Sequence, residues 1–174
     1  MQDREGVSRE MNFASSYALL PHSLRVRENL KIYALLYEVP DPERRIQEVL
    51  ELMEIRSLQE EMTRHLSSGQ MSRLQLAKAL LNHPKLLLLD EPMASLDPDI
   101  ADKTRRLLKE TQNREGISIL YTSHNMREIE QMCDRVIFLN AGRTVAQGTP
   151  QELLHLFQKE SLEEIFLKIA RQGP

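Results

Sequence analysis

Apolar residues in the first third of the chain recur at the spacing of helices. Starting at Val26 they fall on one helical face, and Pro40 ends the pattern. Asp41 followed by Pro42 is typical of the start of a second helix, with Asp41 as its N-cap. A short strand is predicted ahead of both helices, at Met11–Ala14. The first part of the chain is therefore predicted to be mainly helical.

Strands and helices alternate beyond about residue 65. The run LLLLD, Leu86–Asp90, is apolar up to its last residue and predicts a strand buried on both faces of a parallel sheet. ISILY, Ile117–Tyr121, predicts a second such strand, and Asp97 caps a helix between the two. Val136–Leu139 and Thr144–Gln147 flank a turn and predict a hairpin. We therefore predict an α/β fold with a mostly parallel sheet.

Composition narrows the classes of protein to which the chain can belong. Its 174 residues, with 41% hydrophobic and 28% charged, suit one globular domain. A net charge of −3 gives no reason to expect a nucleic-acid partner. The longest purely apolar run, Leu86–Leu89, is far short of a bilayer span, and a single cysteine, Cys133, excludes an internal disulfide.

The segment LSSGQ, Leu66–Gln70, stands directly before a predicted helix. The N-terminus of a helix presents unpaired N–H groups and a partial positive charge, which suit a phosphate. Serine hydroxyls add donors, and Gly69 lets the backbone come close to a ligand. Taken alone, the same segment is an ordinary serine N-cap.

Two polar segments follow the two predicted strands. Asp90 and Glu91 come after the four leucines, where one carboxylate could hold Mg²⁺ and the other could accept a proton from water. The leucines argue against the alternative of two solvated loop acids. Thr122, Ser123 and His124 follow ISILY, and His124 could reach a phosphate in the same crevice, although a lone histidine is more often structural or solvated.

In this order and spacing, LSSGQ, LLLLDEP, Ser95-Leu96-Asp97 and Ser123-His124 resemble the ATP-binding-cassette (ABC) ATPases. The resemblance covers about residues 12–148 and implies ATP and Mg²⁺ as cofactors. It makes LSSGQ the signature motif, Leu86–Asp90 the Walker B strand and Ser95–Asp97 the D-loop. The nucleotide-binding residues that it implies are Ser67, Ser68, Gly69, Gln70 and Asp97.

The resemblance also implies roles for the strand-end residues. Asp90 would position Mg²⁺ through water, Glu91 would polarise the attacking water, and His124 would contact the γ-phosphate. Asp97 would bridge two subunits, because such domains pair head to tail and each signature completes the ATP site of the other. We expect an ATPase of this class.

Two further segments resemble transporter subunits. Leu19–Tyr37 is similar to the stretch where the helical subdomain meets a transmembrane permease, and Ser161–Arg171 is similar to the tail of exporter subunits. We therefore expect an export subunit at the cytoplasmic face of the membrane. The expected organisation is a single domain over residues 1–174. It consists of a helical and Q-loop subdomain at about 15–65, a core at 66–148 and C-terminal helices at 149–174.

Two features depart from the family pattern. No G-x-x-x-x-G-K-[ST] occurs, so we expect a partial P-loop NTPase fold that lacks the N-terminal Walker A portion and is inactive alone. We also expect the Walker B strand to have lost a neighbouring strand. Ser15 stands where the family has its Q-loop glutamine and is too short to replace it. A truncated gene or a late start codon would explain the missing portion.

Two other functions compete with the catalytic subunit. The first is a non-catalytic partner that donates Leu66–Gln70 to a complete subunit, and the intact Asp90, Glu91 and His124 argue against it. The second is a non-transport ABC protein acting on DNA or ribosomes. It ranks last, because the chain has no coiled coil, second cassette or basic patch.

Overall fold

The computed structural model describes residues 9–15 and 20–171, which divide into two compact units between Thr122 and Ser123. Leu19, the first residue of the segment likened to a permease-contacting stretch, lies outside the described residues. The first unit contains, in chain order, β1 (Met11–Ser15), α1 (Val26–Leu36), α2 (Pro42–Leu52), α3 (Ser68–Ala79), β2 (Leu86–Asp90), α4 (Pro98–Glu115) and β3 (Ser118–Thr122). Two short 3-10 turns, Arg56–Leu58 and Thr63–His65, connect α2 to α3.

The strands of the first unit form a parallel sheet in the order β1-β2-β3. The central strand, β2, therefore has a partner on each side, and the expectation that it had lost a neighbour is wrong. The reason is that β3, which comes later in the chain, occupies the second side. The prediction of a parallel sheet is confirmed.

Burial along these strands is less complete than predicted. Leu87 and Leu89 of β2 are fully buried, whereas Leu86 is 36% exposed. In β3 the side chain of Leu120 is 60% exposed, so the prediction of a strand buried on both faces is wrong there. Among the described residues, β3 pairs with β2 on one side only, which leaves it an edge strand of this sheet.

The helix α3 is attached to β1 by a buried polar network. Lys78 Nζ donates to Phe13 O at 2.5 Å and to Asn12 Oδ1 at 3.2 Å. Asn12 Nδ2 in turn donates to Lys78 O and to Asn82 Oδ1. At the C-terminal end of the helix, Arg45 of α2 donates to the carbonyls of Leu80 and Leu81. These bonds fix the direction of α3 relative to the sheet and to α2.

The two predicted N-cap residues, Asp97 and Asp41, lie at the predicted helix starts, but only Asp97 makes the side-chain hydrogen bond of an N-cap. Asp97 Oδ1 accepts from Ile100 N at 3.1 Å, which confirms Asp97 as the N-cap of α4. Asp41 occupies the N-cap of α2 without a side-chain cap bond, because its backbone is left-handed at φ 49°. Its carboxylate lies 3.7 Å from Arg44 instead, so the predicted cap is wrong in chemistry.

The described part of the second unit, residues 123–171, consists of a hairpin and three helices. It contains α5 (Met126–Met132), β4 (Val136–Asn140), β5 (Arg143–Gly148), α6 (Pro150–Phe157) and α7 (Leu162–Arg171). The antiparallel pairing of β4 with β5 confirms the predicted hairpin. α7 buries Leu162, Ile165 and Ile169, whereas Phe166 is 42% exposed. Within the described ranges, no helix is long and apolar enough to cross a membrane.

Candidate functional site

Three polar residues stand in register at the carboxyl ends of the parallel strands. Ser15 pairs with Asp90, and Asp90 pairs with Thr122, across β1, β2 and β3. Ser15 Oγ donates to Asp90 Oδ2 at 3.0 Å, and Thr122 Oγ1 donates to Asp90 Oδ1 at 2.7 Å. Each oxygen of the Asp90 carboxylate therefore accepts a hydroxyl from a different neighbouring strand.

Glu91 directly follows this row and turns the chain out of β2. Its amide donates to Thr122 O at 3.1 Å, so one more bond to β3 forms after the strand ends. Its φ of 50° lies in the left-handed region, which costs a residue with a Cβ of the order of 1–2 kcal/mol. Strained backbone of this kind is concentrated at functional sites.

The strand-end oxygens fit Mg²⁺ in their chemistry. Mg²⁺ takes hard oxygen ligands, keeps several of its waters and is usually bound through one or two carboxylates. The Asp90 carboxylate provides such an oxygen pair, and the Ser15 and Thr122 hydroxyls add neutral oxygens beside it. Their geometry allows Asp90 to hold the waters of a bound ion.

The N-terminus of α3 carries a complete capping box. Ser67 Oγ accepts from Gln70 N at 3.3 Å, and Gln70 Oε1 accepts from Ser67 N at 2.9 Å. Ser68, the first helical residue, is exposed. The two predicted ligands Ser67 and Gln70 thus shape the end of the helix, and their contact with a nucleotide stays a prediction.

Gly69 brings this helix end against the segment Ser95–Asp97. A Cβ placed on Gly69 would lie 3.3 Å from Ser95 O and 3.6 Å from Leu96 Cδ2. Two helix N-termini, those of α3 and α4, therefore flank one stretch of backbone. Asp97 caps the second of them, and its role between subunits stays a prediction.

His124 is the second residue of the second unit and lies two residues ahead of α5. Its neighbour Ser123 accepts from Asn125 N at 3.1 Å and donates to Glu128 Oε2 at 2.7 Å, which orders this short connection. The approach of His124 to Glu91 and to a phosphate stays a prediction.

The contacts of Ser15 and Thr122 with Asp90 are not visible in the sequence. The sequence suggests only a comparison with the family glutamine for Ser15, and no role of its own for Thr122. Strands 75 and 32 residues away from Asp90 supply these hydroxyls, so no local pattern shows the contact. The available signal is that each strand is mainly apolar and ends in a polar residue.

The fold and the order of these sites agree with the comparisons with known proteins. The family profile described as "ABC transporter" matches residues 1–94, more than half of the 174 residues. The chain belongs to the ABC transporter family. The resemblance inferred from the four motifs is thereby confirmed.

Curated relatives agree on one kind of subunit. The "Spermidine/putrescine import ATP-binding protein PotA" of Haemophilus ducreyi is 34% identical over 158 residues, which cover 87% of this chain and 42% of that protein. The protein of the same name from Acidothermus cellulolyticus is 38% identical over 148 residues, covering 83% of this chain and 38% of that protein. This chain spans less than half the length of both relatives.

A solved structure described as "Structure of ATP binding subunit of ABC transporter" shares the fold. Its TM-score is 0.85 at 25% identity, and the match covers 95% of this chain and 70% of the other. The predicted α/β ABC ATPase fold is confirmed by this match. The relatives are named as import proteins, so they give no support to the predicted export.

Proposed function

We propose that this chain is the ATP-binding and ATP-hydrolysing subunit of an ABC transporter, coupling ATP hydrolysis to movement of a solute across a membrane. The observation that carries the proposal is the capped N-terminus of α3 packed against Ser95–Asp97 through Gly69. This arrangement offers amide donors and the Ser68 hydroxyl on one exposed helix end, where they suit the γ-phosphate of ATP.

The strand-end residues have the proposed catalytic roles. Bound Mg²⁺ would neutralise phosphate charge, and Asp90 would hold it through water. Glu91 orients and polarises the attacking water, and His124 contacts the γ-phosphate. Phosphoryl transfer relies on positioning and charge, and a carboxylate fixed on a strand end provides such positioning.

The proposed partners are a second ABC ATPase subunit, paired head to tail, and transmembrane permease subunits. One apolar surface of α1 supports the permease contact: Ile32, Leu35 and Leu36 are 51–68% exposed at helical spacing. A net charge of −3 favours no nucleic-acid partner. The chain would act in the cytoplasm, held to the inner face of the membrane by the permease.

The direction of transport is the finer part of the proposal. Export rested on Ser161–Arg171 alone, whereas the relatives carry import in their names. We therefore infer solute uptake as the direction to test first, with spermidine and putrescine as the first solutes.

A polypeptide of these 174 residues is expected not to turn over Mg-ATP alone, because the phosphate-holding P-loop sequence does not occur in it. The second candidate function is therefore a non-catalytic partner that donates its signature motif. The capped α3 terminus supports that function equally well. The Asp90–Glu91 pair on its strained turn favours the catalytic function.

The first test, which both candidate functions must pass, is reconstitution with a P-loop-bearing ABC subunit whose own signature serine has been replaced by arginine. Mixed with this chain, that subunit should regain ATP hydrolysis, because Ser68 and Gly69 would complete its site. Ser68→Arg in this chain should abolish the gain by filling the γ-phosphate position. Ser118→Arg, which adds the same charge at an exposed position at the far end of β3, is the matched control. Equal stimulation by Ser68→Arg and wild type would refute the proposal.

A fusion separates the two candidates. The P-loop segment of a relative is placed ahead of Met11, and hydrolysis is measured in the fusion and in its Glu91→Gln variant. Hydrolysis that depends on Glu91 supports the catalytic subunit, whereas ATP binding without it supports the signature donor. Ser15→Gln in the fusion tests whether the missing Q-loop glutamine limits the rate.

A further inference from the structure

The Asp90 carboxylate is held from both sides by hydroxyls of the adjacent strands. Ser15 Oγ lies 3.0 Å from Oδ2, and Thr122 Oγ1 lies 2.7 Å from Oδ1. The three residues are direct neighbours in the strand register, so the backbone pairing itself sets these distances. We propose that Ser15 and Thr122 are positioning residues that fix the orientation of the Asp90 carboxylate.

Burial makes the Ser15 contact specific. Ser15 is only 5% exposed. The cavity beside it has a volume of about 10 Å³, lined by Ala14, Ser72, Gln75, Leu76 and Pro92. Such a space holds about one water at most, so bulk solvent does not compete for the Ser15 hydroxyl. A hydrogen bond to an ionised acceptor in this environment is stronger than one between neutral groups.

The two hydroxyls leave Asp90 able to bind a hydrated ion. A carboxylate has about four lone-pair sites, and the two strand hydroxyls use two of them. The remaining pair can accept from waters of a bound Mg²⁺, with the carboxylate rotation already fixed. This consequence rests on the proposed function, whereas the hydroxyl contacts themselves do not. Ser15 thus has a role that a comparison with the family glutamine does not reveal.

The test is a double-mutant cycle on the unfolding equilibrium of the full chain. Ser15→Ala should lower the folding equilibrium constant [N]/[U] about tenfold in the otherwise wild-type chain, as expected for loss of a hydrogen bond to a charged group. In an Asp90→Ala background the same substitution should lower this constant less than about twofold. Thr122→Val should also lose stability, but by less than Ser15→Ala because Thr122 is exposed to water, and Thr122→Ser, which keeps the hydroxyl, should restore it. Ser118→Ala, at the exposed start of β3, is the control and should change little.

Equal losses for Ser15→Ala with and without Asp90, or equal losses for Thr122→Val and Thr122→Ser, would overturn the proposal. Should Asp90→Ala fail to fold, a crystal structure of Ser15→Ala decides: a rotated Asp90 carboxylate supports the proposal, and an unmoved one overturns it. None of these measurements needs ATP, so this inference and the proposed ATPase function can fail separately.

Discussion

Gly69 faces the backbone of Ser95 so closely that a Cβ on Gly69 would lie 3.3 Å from the carbonyl oxygen of Ser95. This distance is tighter than an ordinary van der Waals contact, so a side chain at position 69 needs the Ser95–Asp97 segment to shift. The helices α3 and α4 are thereby coupled through one glycine. The coupling explains why glycine suits this position without any need for left-handed backbone.

Gly69→Ala and Gly69→Val should separate stability from function at this contact. Alanine gains up to about 1 kcal/mol of helix propensity and needs a shift of only a few tenths of an ångström, so the free energy of unfolding should change by less than about 1 kcal/mol. Valine should lower it by about 2 kcal/mol through overpacking. Urea unfolding measures the free energy of unfolding of each variant. Equal free energies for Gly69→Ala and Gly69→Val would show that Ser95 moves freely.

Replacing Ser67 should mainly lower the stability of the chain, whereas replacing Ser68 should mainly lower ATP hydrolysis in the reconstituted pair. Ser67→Ala removes the N-cap acceptor of α3 and should cost about 1 kcal/mol of unfolding free energy. Ser68 is exposed and makes no cap bond with its side chain, so Ser68→Ala should stay within about 0.5 kcal/mol of wild type. Reconstituted hydrolysis should nevertheless fall more in Ser68→Ala. A larger stability loss in Ser68→Ala would contradict the assigned cap.

The left-handed backbone of Glu91 should make its removal stabilising. At φ 50°, glycine escapes the steric cost of a Cβ, so Glu91→Gly should raise the free energy of unfolding by about 1 kcal/mol. Hydrolysis by the fusion protein should be lost in the same variant. Ala141→Gly, at φ 47° in the turn between β4 and β5, is the matched control and should stabilise without loss of activity. Thermal denaturation measures the change in stability, and an ATPase assay of the fusion protein measures the loss of hydrolysis.

The sequence pattern predicted correctly those features of the fold that depend only on neighbouring residues. The four leucines before Asp90 gave the position of β2, and Asp97-Pro98 gave the start of α4, because both depend on neighbouring residues only. The sequence could not show that β3 occupies the second side of β2, since strand order is a long-range property. It also did not show the left-handed turn at Glu91, where tertiary pairing with Thr122 overrides the residue's own preference.

The buried contacts of Lys78 likewise come from residues far along the chain. Its ammonium bonds Phe13 O and lies 5.7 Å and 5.4 Å from the ring centroids of Phe13 and Tyr33. Burial lowers the pKa of Lys78 from its usual 10.5 to about 8. In the unfolded chain the same lysine keeps its ordinary pKa, so folding is linked to proton release above about pH 8.

Stability should therefore rise with pH because of Lys78. Between about pH 8 and pH 10.5 the unfolded state binds more protons than the folded state, so the free energy of unfolding increases with pH. The full effect is about 3 kcal/mol at most, from 1.36 kcal/mol per pKa unit. The gain is measured as the difference between wild type and Lys78→Met from pH 7 to pH 10.5, because burial also raises the pKa of Tyr37 and the difference removes that contribution. Lys85→Met is the control, because it removes an exposed lysine and keeps Lys78. The difference in unfolding free energy between wild type and Lys85→Met should not rise over this pH range. A wild-type advantage that stays flat or falls over this range would mean that Lys78 remains fully charged in its buried position.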